Sequence, residues 1–484
     1  MNHDETTLET LNLIKAQTSG VTSGTGLVGV DLTELVSLIP VNTPFLDSIP
    51  RKTATDGAKF CQWRVLTDIN NLQADPGTAF DYAAPLALLN ELDVSAPYGK
   101  IGYGYTVTED AIDLAKGYAN AHAIAVMNAM NQYKIGADRK LLGGQVFALP
   151  TPAVATTSTA TTGGTVAAAT YQIRVAARTL SNFNYGGSTA AAANAPQVTT
   201  GATSTMTATT TSIPGAVAYD WYVNGFYNTT TTVNKVVWTS TPAGSNQPVP
   251  NIPGIYGVAP TAVPTVDSSA KATDFNGLLA TLAGDYATGG ATGLVTRGGG
   301  VSSGATFQSL GGAAFTGSGQ SINELDSIFS ALYNKIQASP SRILLSSQEA
   351  TSISRLLLAN AGGGTTFLTP NDNGRNNITA GGYIGSYVNK AAGGVPVPLI
   401  VQPNLAPGTL IAASDSGAAF AGANIANTLE LRDLRTTQDY QYATNRAAGA
   451  GGGPRNDGEV YSTSALQNRA PVAFAVLQDI APVV

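Results

Sequence analysis

Apolar residues recur along this chain with two alternating periods, and the change of period divides it. From Thr108 to Leu141 they fall at three- and four-residue steps: Ile112, Ala115, Ala119, Ala123, Val126, Met130, Tyr133, Ala137 and Leu141. Such spacing puts one stripe down a helix. Thr108 suits the N-cap, because its hydroxyl can accept from the unpaired amides of the first turn. Glu109 and Asp110 follow at the positive end of the dipole, and Arg139 and Lys140 lie near its negative end. Gly143–Gly144 stop it. The pattern predicts one spine helix of roughly 50 Å. Period-two runs predict strands at Phe60–Ile69 and Tyr98–Val107, the latter with Tyr103, Tyr105 and Val107 on one face and glycines on the other. Residues 71–97, broken by Pro76–Gly77, Pro85 and Pro97, read as a long irregular loop that is functional or contacts a partner. A short helix is expected at Asp31–Ile39, stopped by Pro40, behind a Gly/Thr-rich arm over residues 1–30.

After the spine the character changes. Residues 151–266 hold four charged side chains, Arg174, Arg178, Asp220 and Lys235, among Thr, Ala, Ser, Gly and Pro. Short strands are predicted at Thr170–Thr179, Ala216–Val223 and Lys235–Thr239, with Asn224–Gly225 as a hairpin turn. The spacing suggests an inserted β-sandwich, loosely Ig-like or fibronectin III-like, with Pro-rich 248–264 as the return linker. Beyond it, Thr273–Leu282 reads as helix and 284–320 as glycine-rich loop. Two capping boxes, Ser321-x-x-Glu324 and Ser346-x-x-Glu349, open helices on either side of a strand at Arg342–Leu345. Residues 361–394 read as loop. Strands follow at Val395–Val401, Thr409–Ala413, Thr428–Leu434, Asp439–Thr444 and Gly458–Thr463, then a buried one at Pro471–Ile480. Residues 446–457 read as a flexible tip.

Composition sharpens this into a class of function. Charged residues make up 12 % of the chain, about half the ~25 % of ordinary soluble domains. Thr, Ser, Asn and Gly must then serve as surface, or neighbours must cover it. A net charge of −6 gives no basic grip for nucleic acid. One cysteine, Cys61, excludes an internal disulfide and reads as a buried small hydrophobe. Residues 1–20 hold no apolar run of a signal peptide, and no stretch is long enough for a membrane helix. Synthesis in a cytoplasm is the expectation.

Chemistry is sparse. The two histidines are His3 in the arm and His122 on the spine, so Ser-His-Asp and Cys-His catalysis have little to work with. Glycine runs at 298–300, 362–364 and 451–453 lack the Lys-Ser/Thr of a phosphate loop. Asn371–Gly374 lacks the spacing and closing Glu of a calcium loop. Trp221, Tyr219, Tyr222, Phe226 and Tyr227 cluster in the insertion; the weight goes to core, with Tyr222 and Tyr227 left as an alternative binding face. No catalytic, cofactor-binding or metal residue is named, and no cofactor is expected.

The flanks resemble the major capsid proteins of tailed bacteriophages, the HK97-like shell fold. The resemblance rests on TPFLDSIPR (Thr43–Arg51), on the strand and loop of 60–97, and on YTVTEDAIDLAKGY running to DRKLLGG (Tyr105–Gly144). It continues through the capped helix–strand–helix of 321–359, GVPVPLIVQPNLAPGTLI (Gly394–Ile411) and RAPVAFAVLQDI (Arg469–Ile480), all in the family's order. It implies an α+β fold with a spine helix, an extended loop, and peripheral and axial domains, interrupted by the all-β sandwich. The implied limits are 1–59 for the arm and entry segment, 60–150 for extended loop and peripheral domain, 151–266 for the insertion, 267–435 for the axial domain and 436–484 for returning peripheral strands. It implies no enzyme. It implies pentamers and hexamers of the chain in an icosahedral shell around viral DNA, formed in the host cytoplasm, with no sequence-specific DNA binding and no membrane. Scaffolding, portal and decoration proteins are the partners it implies. One departure is the lack of a long charged helical N-terminal region, which points to a separate scaffolding protein or a short arm that suffices; no motif around Lys100 supports a crosslink. Two rival readings stay open: an encapsulin-like compartment and a surface adhesin with the β module as its working part.

Overall fold

The computed structural model describes residues 41–54, 60–68, 90–115, 120–193, 195–198, 201, 204–244, 262–271, 273–274, 276–284, 287–288, 304–318, 321–360, 369–370, 378–379, 384–414, 427–442 and 455–483. The arm, the helix at 31–39, His3, the three glycine runs and the turn at 371–374 lie outside them.

Helix α1 (Pro44–Ser48) and strand β1 (Arg51–Thr53) enter an antiparallel pair, β2 (Phe60–Asp68) and β3 (Asn90–Pro97). Then come β4 (Gly99–Thr108), α2 (Glu109–Ala115) and α3 (Ala121–Gly143). The inserted segment supplies β5 (Thr156–Ala160), β6 (Thr170–Thr179), α4 (Leu180–Tyr185), β7 (Ala195–Val198), β8 (Thr205–Thr209), β9 (Ala216–Val223), β10 (Phe226–Thr231) and β11 (Lys235–Trp238). The chain returns through α5 (Leu278–Leu282), β12 (Thr306–Ser309), α6 (Asn323–Ile336), β13 (Arg342–Leu345) and α7 (Ser347–Asn360). It closes with β14 (Ser386–Asn389), β15 (Val395–Val401), β16 (Leu410–Ala413), β17 (Leu429–Gln441), β18 (Arg455–Asn468) and β19 (Phe474–Gln478).

The mixed α+β architecture agrees with the expectation, with few helices and many strands. A four-stranded sheet in the order β1-β17-β18-β4 carries α3 across one face. A six-stranded sheet, β12-β19-β16-β13-β15-β14, packs α6 and α7 over a second core that includes Leu325, Phe329, Ile343, Ile353, Leu410 and Leu477. The last strand therefore belongs to this sheet, and β17 runs unbroken through position 435. Expected strands at Thr428–Leu434 and Asp439–Thr444 are one strand with two irregularities in its pairing.

Several local expectations change. The nine-turn spine is two helices. Asn120 takes extended backbone and its side chain accepts from Ala123 N at 3.1 Å, so it caps a new start. Residues 90–97, read as loop, pair with β2, and Ser386–Asn389, also read as loop, forms an edge of the larger sheet. The helix expected over Thr273–Leu282 is confined to α5. In the first capping box Glu324 turns instead to the amide and hydroxyl of Thr316, and α6 starts at Asn323. At the second, Ser346 caps α7, its hydroxyl accepting from Gln348 N at 3.1 Å, but Glu349 meets the Ser346 hydroxyl and not its amide, so the reciprocal half of the box is replaced by a side-chain contact. Pro471–Ala473 makes a single 3-10 turn before β19.

The insertion is a two-sheet sandwich, β10-β9-β6-β7 against β11-β8-β5. Tyr219, Trp221, Val223, Ile173 and Val175 face Met206, Ala208, Val236 and Trp238 in a common core. Trp221 and Trp238 meet edge to face across the sheets, 6.4 Å between centroids. The strands at Thr170–Thr179 and Ala216–Val223 stand at their predicted limits. Asn224 and Gly225 have φ of 51° and 85°, the pair of positive values that a tight primed turn requires.

This sandwich is not hung on a linker. Leu180 and Phe183 of α4, with Val217 and Ala218 of β9, share the core of α3 with Leu141 and Leu142. At the end of α3 the contact is close: a Cβ on Gly143 would sit 2.5 Å from Leu180 Cβ. Gly143→Ala therefore sets a helix-propensity gain of about 1 kcal/mol against overpacking of roughly 1–3 kcal/mol. We expect a net loss of stability in urea unfolding. A gain would show that the insertion does not press on the spine.

Candidate assembly surface

The residues weighed for chemistry are structural in their placement. His122, half-buried near the start of α3, meets the ring of Tyr105 edge-on at 5.6 Å. Tyr105 donates to Asp439 at 2.9 Å. Cys61 is buried, and burial pushes its thiol up. Thr108 accepts from Ala111 N at 3.3 Å and begins α2. Among the described residues no three His, Cys, Asp or Glu side chains gather as a metal site would need.

The alternative of Tyr222 and Tyr227 as a binding face is corrected. Both are fully buried, with Ala176 and the partly buried Ala191 and Val263 around them. The reason is that β9 is enclosed on both faces. Its second face also holds the ion pair Arg178–Asp220, at 2.7 Å and nearly without exposure. Burial raises the Asp220 carboxyl, and Arg178 and Thr230 oppose that rise. Phe226 alone of the cluster stays exposed, at 42 %.

What the sequence did not reveal is a set of buried carboxylates at the joints. Asp138 of α3 is wholly buried. It accepts from Leu46 N of α1 at 2.9 Å, from Asn404 Nδ2 at 2.6 Å and from Gln402 Nε2. It thereby ties the entry segment and the turn after β15 to the spine. Burial outweighs those three donors and pushes its carboxyl up to about 6. Asp479, with φ of 59°, accepts from Ser212 of the insertion and from Ser309 of β12. Glu349 accepts from Gly408 N at 2.7 Å. An acid one residue after Ala137, beside the apolar stripe that runs through Tyr133, Ala137 and Leu141, was the one available sign.

The outer surfaces are built differently. Gly102 and Gly104 lie on the exposed face of β4, and a Cβ on Gly102 would stand 2.7 Å from Tyr461 Cβ. The glycine face predicted for this strand thus makes room for a neighbouring tyrosine. Lys100 lies over the Tyr461 ring at 4.2 Å and pairs with Glu459; Tyr440 and Tyr442 beside them are 40 % and 48 % exposed. Helix α2 buries no residue, leaving Leu114 at 66 % and, on α3, Met127 at 49 %. A groove of 670 Å³ between Thr230–Val233, the start of α7 and the segment 481–483 has no ionisable side chain in its lining.

No family profile and no curated protein matches the chain. Solved structures similar to it include a cyanophage A-1(L) capsid asymmetric unit, at 10 % identity and TM-score 0.45, covering 94 % of this chain and 97 % of the other. The capsid of a native GTA particle is similar at 8 % identity and TM-score 0.41, covering 96 % and 98 %. The holo-SrpI encapsulin complex from Synechococcus elongatus PCC 7942 is similar at 10 % identity and TM-score 0.37, covering 93 % of each.

Asp138 gives a pH test. Its carboxyl titrates near 3.8 unfolded and about 6 folded, so the folded state keeps a proton that the unfolded chain has lost. Its contribution favours folding fully below pH 4 and declines as pH rises to about 6. At ~1.4 kcal/mol for each pH unit between the two values, the total is on the order of 3 kcal/mol. Urea unfolding of wild type and Asp138→Asn should show the difference moving against wild type by that amount between pH 4 and 6.5. A constant difference would contradict the assignment.

Proposed function

We propose that this chain is the major capsid protein of a tailed bacteriophage, with the HK97-like shell fold. In this reading copies of it form pentamers and hexamers and close an icosahedral shell around DNA. The observation that carries the reading is the state of the spine. The C-terminal half of α3 is enclosed by α1, α4, α5 and the β4-β18-β17 sheet, while its N-terminal half is only partly covered and α2, half-burying Ile112 and Ala115, has no fully buried residue. A subunit whose helix surface is completed by neighbours has this form.

The order of parts supports the same conclusion. A paired β2–β3 extension, a spine crossing a long-stranded sheet and a helix-covered six-stranded sheet follow in the sequence expected from the resemblance. Low charge suits faces covered by other copies, and the mildly acidic balance suits a wall that encloses DNA without adhering to it. The limits 60–150 with 436–484 and 267–435 are taken as the peripheral and axial regions, adjusted so that β17 falls with the four-stranded peripheral sheet and β19 with the six-stranded axial sheet. The sandwich of 151–266 is assigned an Ig-like accessory role on the shell exterior. Assembly in a host cytoplasm with a separate scaffolding protein, a portal and decoration proteins completes the reading, and the chain has no catalytic role in it.

Electron microscopy of the purified full-length chain, alone and from a phage-producing culture, tests this. Closed shells or ring-shaped capsomers are expected. A monomer under every condition would contradict the proposal, and shells filled with an enzyme cargo and free of DNA would transfer it to the encapsulin reading.

A further inference from the structure

Two patches of opposite charge stand at the two ends of one sheet. At one end Glu430 of β17 is wholly buried. Lys52, Arg432 and Arg469 converge on its carboxylate, with nitrogens at 2.7, 3.2 and 3.4 Å. Lys52 and Arg432 are partners in the parallel register of β1 and β17, and Glu430 lies two residues from Arg432, so all three share a sheet face. Three cations answer one carboxylate. Their side chains keep 48 %, 25 % and 25 % of their surface, so a surplus of two positive charges faces outward, fixed in place by the buried anion. Among the described residues neighbouring acids do not cancel it, since Asp433 pairs with Arg51 and Asp93 with Arg64.

At the other end β4 leads directly into α2, whose sequence EDAIDLA contains acids and no base. Asp110 is exposed and Glu109 half-exposed, and the nearby Arg455 is engaged with Asp457. An isolated helix of this length is unstable in water, yet α2 only half-buries Ile112 and Ala115 against its own chain and leaves Leu114 open. Its own cation patch is out of reach. β4 spans ten residues, with Gly99 opposite Ser464 and Thr108 opposite Arg455, and Glu430 lies further on, opposite Gln467. At ~3.4 Å per residue the two patches are about 30 Å or more apart. Unlike surfaces at opposite ends of a subunit join head to tail, and such contacts close into rings when the rotation between copies closes.

We propose that α2 of one copy docks on the Lys52–Arg432–Arg469 patch of a second copy, with Glu109 and Asp110 facing the cations and Leu114 covered. This rests on the shell reading and specifies one contact within it.

The test uses the full-length chain in sedimentation velocity at low salt. Asp110→Lys alone and Lys52→Glu alone should each lower the assembled fraction about tenfold, and the double exchange should restore it to within about threefold of wild type. Asp110→Asn should act in the same direction by a smaller factor; the thermal midpoint of unassembled Asp110→Lys should match wild type, while Lys52→Glu, which sets a second carboxylate beside buried Glu430, and the double exchange should share one lowered midpoint, so that recovery of assembly in the double exchange reads docking and not folding. The proposal is overturned if Asp110→Lys assembles like wild type, or if the double exchange assembles no better than the weaker single variant. Wild type that stays monomeric overturns this contact and the shell reading together; wild type and Asp110→Lys assembling alike overturns the contact alone.

Discussion

The structure depends on the close packing at the C-terminal end of the spine helix. There the chain leaves for the inserted sandwich and returns, and there four parts meet. Gly143 lies against Leu180 of α4, and Gly277 lies so near the backbone of Lys140, Gly143 and Gly144 that no side chain would fit. The returning segment is fastened by Gly277 N to Gly144 O at 2.8 Å, Lys271 N to Gln145 O at 3.0 Å and the Lys140–Asp274 ion pair. One turn earlier, Asp138 holds α1 and the turn at 402–404. Interiors are packed to crystal density and transmit strain, so the insertion, the entry segment and both large sheets take their positions from this one point.

Much of the architecture was legible, for identifiable reasons. Thr170–Thr179 and Ala216–Val223 alternate strongly and end at turn residues, and Asn224–Gly225 carries its own conformational signature. The helix start at Ser346 stands because its hydroxyl accepts from Gln348 N, while Glu349 divides its oxygens, Oε2 meeting the Ser346 hydroxyl and Oε1 accepting from Gly408 N. At Ser321 the same motif fails because Thr316, reached through a chain reversal, offers Glu324 both an amide and a hydroxyl. Asn120 was hidden inside an apolar stripe that runs on through it, so a cap looked like a helix-surface residue. The strands Thr156–Ala160 and Thr205–Thr209 are mostly small polar residues, whose alternation shows only once a partner strand is known.

The candidate surface was less legible than the fold. Periodicity says which residues on a helix are apolar, not which part of the stripe its own chain will cover. Two ends of one stripe illustrate the point: Tyr133, Ala137 and Leu141 are buried, whereas Ile112 and Ala115 are not. Buried carboxylates escaped for a related reason, because the donors that hold Asp138 come from residues 46, 402 and 404, far away in sequence. The inserted aromatics show the reverse effect, since both faces of β9 are enclosed and the half-buried sheet suggested by alternation became a fully buried one.

The central claim is that the outer part of the spine is completed by other copies of the chain. Amide hydrogen exchange on unassembled and assembled protein reads this directly. The account predicts that residues 109–115 and the first turns of α3 exchange fast in the unassembled chain and become strongly protected on assembly, while residues 129–143 are protected in both. Equal exchange over 109–115 in the two states would contradict it.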